Sequence, residues 1–161
     1  VTSQPGTFSG VKAEQHGLLR LRRVVRNLGL DLPKKKIDGR WQLEVCAASI
    51  GNLNTRWLNA FSDCALGKTD LTLAAADSKA PKLKVYYPTV SDVKSAHESA
   101  QQGASNVGCH TRPWPSTPND IKDLFHHYQS KDAGRLFHQK LIMAYDIQNR
   151  QSLPYYVYVG S

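Results

Sequence analysis

Cysteine is scarce: Cys46, Cys64 and Cys109 are the chain's three, an odd number at wide spacings. No Cys-x-x-Cys pair or Cys/His ligand cluster accompanies them. That argues against a disulfide-framed scaffold or a zinc site, and for a reducing compartment. Long apolar runs are missing too. Nothing approaches the roughly 20 residues a membrane-spanning helix needs, and the first residues lack the charged-then-apolar pattern of a secretory signal. No membrane partner is expected. Repeats and heptads are missing, which excludes solenoids and coiled coils. Acidic side chains are in deficit, 13 against 21 Lys and Arg, and the net charge is +8. A surplus of that size implies a polyanionic partner.

What is present describes a globular chain. At 161 residues, 40% hydrophobic and 21% charged, it suffices for one domain over 1–161 with a single sizeable core. It begins on Val1 and stops at Gly160-Ser161 where a strand should end, so it is expected to be a piece of a longer protein.

Residues 1–10 read as a lead-in loop or short edge strand. From His16 a helix is expected, with Leu18, Leu21, Val25 and Leu28 on one stripe and Gly29 as its stop. Arg20, Arg22, Arg23 and Arg26 crowd its other faces, as a solvated surface or as one that tracks phosphates. Lys34, Lys35 and Lys36 make a basic loop of the kind found in localisation signals. Residues 41–48 read as a strand that turns small and polar at Ser49-Ile50-Gly51-Asn52. Backbone N–H groups and hydroxyls can approach a phosphate at such a turn, although an ordinary strand-to-helix connection looks the same. Asn54 or Thr55 then caps a helix carrying Trp57, Leu58, Phe61 and Ala65, closed by Gly67.

Residues 68–81 read as a surface loop, and 82–87 as a strand with Leu83, Val85 and Tyr87 on one face. Ser91 can cap a helix over 92–102. Residues 109–116 are irregular and hold Arg112, Pro113, Trp114 and Pro115, where Trp114 either packs or stacks on a base. A helix should start at Pro118, with Ile121, Leu124, Phe125 and Tyr128 as its stripe and His126 and His127 as surface or semi-buried structural residues. Residues 136–145 read as a buried strand that forms a β-hairpin with 154–159.

That strand holds the chemistry. Side chains alternate faces along a strand, so His138 and Lys140 project from the same one. An imidazole that can give or take a proton then stands beside a cation that can hold an oxyanion, which is equipment for phosphoryl chemistry. Taken alone, a His-x-Lys pair also arises where the His is merely a satisfied structural residue.

The order of motifs narrows the choice. It runs Ser3-x-Pro5-Gly6-x-Phe8-x-Gly10, Gly17-x-x-Arg20-Leu21-Arg22, and Ala48-Ser49-Ile50-Gly51-x-Leu53 with Trp57-Leu58 after it. It continues through Tyr86-Tyr87-Pro88-Thr89-Val90-x-x-Val93 and His138-x-Lys140 to Val157-Tyr158-Val159-Gly160-Ser161. Each is weak alone, but in this order they are specific. Over nearly its whole length the chain resembles the tyrosyl-DNA phosphodiesterases of the phospholipase D superfamily, at the front part of their C-terminal half.

The resemblance implies an α/β phospholipase D-like half-domain, a mixed sheet flanked by helices, and a metal-free reaction with no cofactor. His138 and Lys140 match the family's second His-x-Lys motif, whose His serves as general acid and then general base. Ser49 matches a phosphate contact, Asn52 a second small polar contact, and Trp57 a Trp on the following helix. The implied substrate is a DNA 3′ end, single-stranded or nicked, bearing a topoisomerase I tyrosine or peptide. The implied location is the nucleus, and the implied state a monomer with the missing N-terminal half.

Three departures matter. No other His is followed two residues later by Lys, so the nucleophilic His is expected outside this sequence. The family's Asn after the closing strand lies beyond Ser161. Tyr145 stands where phospholipid-cleaving relatives carry an Asp, and Asp146 is one place late, which argues against a lipid phosphodiesterase. The competing reading is a non-catalytic basic module that binds nucleic acid through Arg, Lys and Trp114.

Overall fold

The protein's structure, a computed structural model, describes residues 10–31, 41–50, 54–68, 83–96, 108–109, 114–128, 131–132, 134–136, 139–146 and 153–160. The first motif's residues before Gly10, the basic loop 34–36, the loop 69–81, the end of the helix expected to reach 102, and the turn at 147–152 lie outside them. So do Asn52, Arg112 and His138.

A 3-10 turn at Gly10–Gln15 leads into α1 (Gly17–Asn27). Next come β1 (Trp41–Cys46), the short β2 (Ser49–Ile50) and α2 (Thr55–Ala65). β3 (Leu83–Tyr87), α3 (Val90–Ser95) and β4 (Gly108–Cys109) follow. The chain continues through α4 (Asn119–Lys122), β5 (Phe125–His127), β6 (Leu141–Asp146) and β7 (Tyr156–Val159). Five strands form a mixed sheet in the order β5-β3-β1-β6-β7. β1, β3 and β5 run parallel, β6 is antiparallel to β1, and β7 is antiparallel to β6. The fold is α/β, with helices flanking this sheet as expected.

The register shows why the core lies where it does. Leu43 sits opposite Leu83 on one side and Ala144 on the other, and Ala144 opposite Tyr156, so these four share a face. Leu58, Phe61 and Ala65 from α2 pack on that face, joined by Leu18 and Leu21 of α1. Ile121 of α4 and Leu124 complete it. Cys64 and Cys46 are free thiols buried in this fold. Burial pushes the Cys64 thiol up to about 11 and also raises Cys46, where the Glu44 charge adds to it. Both described thiols are therefore poor nucleophiles at neutral pH.

Both long helices end as their glycines foretold. Gly29 and Gly67 take φ of +65° and +66°. In α1 the Leu30 N–H reaches back to the Val25 carbonyl and the Gly29 N–H to Arg26. In α2 the Lys68 N–H reaches Asp63 and the Gly67 N–H reaches Cys64. Each end is a complete Schellman motif. The two glycines differ in surroundings, however. A Cβ on Gly67 would meet Asp31 Cβ and Val25 Cγ1 at 2.9 Å each, whereas one on Gly29 would meet nothing within 4 Å. Gly29→Ala should therefore cost about 1–2 kcal/mol of unfolding free energy, from the left-handed backbone alone. Gly67→Ala should cost about 2–4 kcal/mol, because overpacking adds to that strain. Chemical denaturation of the two variants measures the difference.

Three expectations are corrected. The helix read across 118–128 stops at Lys122, and Phe125–His127 forms an edge strand parallel to β3. Val85, Tyr86 and Tyr87 offer that segment a free ladder, and pairing outweighs a helical stripe one turn long. The helix start at Ser91 is displaced to Thr89, whose side chain accepts from the Asp92 N–H while Asp92 accepts from the Thr89 N–H. That is a capping box, and the helix ends at Ser95. The strand read across 136–145 begins only at Leu141, where pairing with β1 starts. The hairpin partner is as expected, with Leu141 opposite Val159 and Ala144 opposite Tyr156. The Tyr156 hydroxyl donates to the Ala65 carbonyl at the end of α2, tying β7 to that helix.

Candidate active site

Strand direction collects the chemistry at one edge of the sheet. The carboxyl ends of β1, β3, β5 and β7 and the amino end of β6 all lie there. In α/β sheets this is the edge where ligands bind. Pairing between β1 and β6 ends at Cys46–Leu141. Beyond that point the chain stays with β3: the Ala47 N–H donates to the Tyr86 carbonyl at 3.2 Å, and the Tyr87 hydroxyl donates to the Ala48 carbonyl at 3.1 Å. On the other side, the Gly160 N–H donates to the Lys140 carbonyl at 2.9 Å, extending the β6–β7 ladder by one residue. Lys140 thus leads into an inner strand just where β1 has moved on toward Ser49, and its side chain is half-buried.

Of the residues the sequence singled out, this brings two segments together. Lys140 and the Ala47-Ala48-Ser49 stretch belong to the same end of adjacent strands. Ser49 is itself held by its backbone in β2, opposite Gly108 of β4. That small parallel pairing was not foreseen, and it replaces part of the expected turn. Trp57 stands on the first turn of α2, where the Asn54 side chain accepts from its backbone N–H at 2.8 Å. The residue is 45% exposed, and its ring stacks on Phe61 at 5.4 Å and 11°. So Trp57 is anchored to the core through Phe61, yet presents a face to solvent. His138 and Asn52 lie outside the described residues, two positions before Lys140 and three after Ser49 in the chain.

Tyr145 and Asp146 fall on opposite faces of β6, as alternation requires. The Tyr145 hydroxyl donates to the Met143 sulfur at 3.4 Å. Burial raises its pKa, with the charge of Glu44 adding to the effect, so it is a neutral phenol at physiological pH.

Two features were missed, the first of them at this edge. Asp92 meets His127 Nε2 with both carboxylate oxygens at 3.0 Å. Burial alone would raise the Asp92 carboxyl, but hydrogen bonds from Thr89 and His127 outweigh it and hold the group below the ordinary carboxylate value. The Thr89-x-x-Asp92 spacing was the available signal for half of this cluster. The second feature concerns the Arg-rich helix: Arg22 is engaged with Glu14 at 3.1 Å and its side chain is only 14% exposed. At that position the basic stripe is an internal tie and not a free surface. Among the described residues no three His, Cys, Asp or Glu side chains gather as a metal site would require.

A family model described as tyrosyl-DNA phosphodiesterase matches residues 1–161, the whole chain. No curated protein matches it.

Proposed function

The chain belongs to the tyrosyl-DNA phosphodiesterase family, and we propose that it supplies the second half of that family's active site. The family's enzymes are phosphodiesterase hydrolases of DNA repair, acting on tyrosyl groups linked to DNA. The whole-chain match carries the reading. It is supported by the register that ends at Cys46–Leu141 and leaves Lys140 beside the stretch leading to Ser49.

In this reading a His from the half not contained in the chain attacks the phosphorus of a 3′-phosphotyrosyl bond. A P–N bond forms and the P–O bond to tyrosine breaks. His138, as imidazolium, gives its proton to the departing phenolate oxygen. The neutral imidazole then takes a proton from water, whose oxygen attacks phosphorus and breaks the P–N bond. DNA ending in a 3′ phosphate is released. Lys140 neutralises charge on the non-bridging oxygens in both steps. The Ser49 hydroxyl and the Asn52 amide donate to the phosphate, and the exposed Trp57 ring meets the substrate beside them. The tyrosine belongs to topoisomerase I or a peptide left from it, the protein acts in the nucleus, and the chain works as a monomer with its N-terminal half.

The test mixes a 3′-phosphotyrosyl oligonucleotide with the 161-residue chain and with the protein that also carries the first His-x-Lys segment. Only the second should turn over, since acid/base help without a nucleophile leaves most of the barrier standing. Robust turnover by the chain alone overturns the half-site reading. If neither cleaves, but both bind single-stranded DNA with a steep salt dependence, the protein is a non-catalytic nucleic-acid module.

A further inference from the structure

We propose that the cavity at the carboxyl ends of β3 and β5 is a stacking subsite for one nucleobase of the DNA strand whose 3′ end is processed. The inference rests on the reading above and adds a second contact point along the same strand. The cavity measures about 490 Å³, and Tyr87, Pro88, Trp114, Pro115, Phe125 and His127 line it. Its walls are almost wholly apolar, and three of these six residues are aromatic.

Trp114 meets Phe125 edge to face, at 5.0 Å and 87°, and Tyr87 meets the same Phe125 at 6.2 Å and 69°. In an edge-to-face pair the partner covers at most one face of the indole. At least one face of Trp114 is therefore not covered by Phe125, and the residue is 37% exposed. Phe125 is packed against the core and holds the platform still. A fixed aromatic face open to solvent is what sequence-tolerant stacking of a base requires.

Polar groups and a cation border these walls. Lys122 donates to the carbonyl of the lining residue Pro115 at 3.1 Å. His127 is half exposed and spends Nε2 on Asp92. That hydrogen bond fixes the ring's proton on Nε2 when the imidazole is neutral, which makes Nδ1 the acceptor. A nucleobase has apolar faces, a hydrogen-bonding edge and a phosphate on either side, so it matches apolar walls under such a rim. An apolar residue of the attached peptide would fill the walls and leave the cation and the imidazole unused. The net charge of +8 favours the same choice.

The position fits as well. Tyr87 lies opposite His127, and Cys46 opposite both Tyr86 and Leu141, so Lys140 and His127 stand at about the same level of the sheet edge. Three strand spacings separate β6 from β5, or roughly 14 Å. A single strand running along this edge from a 3′ phosphate near Lys140 would pass the cavity within a few nucleotides.

The experiment measures fluorescence anisotropy with the protein that carries both His-x-Lys segments. The probe is a labelled single-stranded oligonucleotide ending in a 3′ phosphate, with one abasic residue walked inward from that end. One position should weaken binding by roughly tenfold, as expected for one lost stack. Trp114→Ala should cost the same factor on the intact strand and nothing more on the strand abasic at that position. Trp114→Phe, which keeps a ring, should retain most of the affinity and shows that the alanine effect is not misfolding. The proposal fails if no abasic position matters, or if the two losses multiply. It also fails if Trp114→Ala raises KM only for substrates whose tyrosine carries a peptide, since the cavity would then hold the peptide. Binding needs no turnover. A coupled loss in a protein that does not cleave would keep the subsite and reject the catalytic reading.

Discussion

Replacing Lys140 by alanine in the complete enzyme should lower kcat on 3′-phosphotyrosyl DNA by about a hundred- to a thousandfold. In the proposed reaction the ammonium group faces charge that develops on the non-bridging oxygens in both chemical steps, so its loss would raise both barriers. A better leaving group should therefore rescue little: the second barrier contains no leaving phenol, and the first still lacks its cation. Lys140→Arg should recover part of the loss, with the charge kept but its position moved. The β6–β7 ladder should stay intact. The Lys140 carbonyl accepts from the Gly160 N–H, and alanine keeps that backbone bond. The measurement is kcat for tyrosyl and nitrophenyl esters of one oligonucleotide, beside a melting curve. Equal rescue of Lys140→Ala and wild type by the nitrophenyl group would be compatible with the role. Near-complete restoration of the mutant would instead mean that Lys140 assists only the departing phenol.

The sequence made some of this arrangement legible through local chemistry. Alternation at Leu83, Val85 and Tyr87 announced β3, and the glycines at 29 and 67 announced two helix ends, because a left-handed C-cap is a property of a few consecutive residues. Spacing failed where a distant partner decides. Ile121, Leu124, Phe125 and Tyr128 fit a helical stripe, yet only the first turn is helical, since Phe125–His127 finds the edge of β3. The contact between Asp92 and His127 spans 35 residues and depends on that same pairing, so it was invisible while His127 was assigned to a helix. The site divides in the same way. The pattern His138-x-Lys140 could be read from two positions, and its resemblance to a family gave it meaning. That Lys140 immediately precedes β6 beside the departing end of β1, instead of lying within a longer strand, follows from where the ladder with Trp41–Cys46 runs out. Lys140 has a paired neighbour on one side and a diverging one on the other, and hydrophobic pattern does not encode that.

His138→Ala should separate the two steps of the reaction. If His138 is the acid and then the base, the partner His can still attack phosphorus, but the phenolate leaves without a proton and water is no longer activated. Losing a positioned proton donor or acceptor costs on the order of a hundred- to ten-thousandfold. With tyrosine as leaving group both steps suffer and little product forms. A nitrophenyl ester departs readily without protonation, so the first step should recover while hydrolysis stays slow. The phosphohistidine should then accumulate, visible as protein covalently joined to DNA on a denaturing gel. Lys140→Ala should show no comparable accumulation, because its defect falls on both barriers alike. A partner-His mutant should give no adduct with any leaving group, since it lacks the atom that forms the P–N bond. The opposite pattern, an adduct from the partner-His mutant and none from His138→Ala, would make His138 the nucleophile and reverse the roles assigned to the two halves.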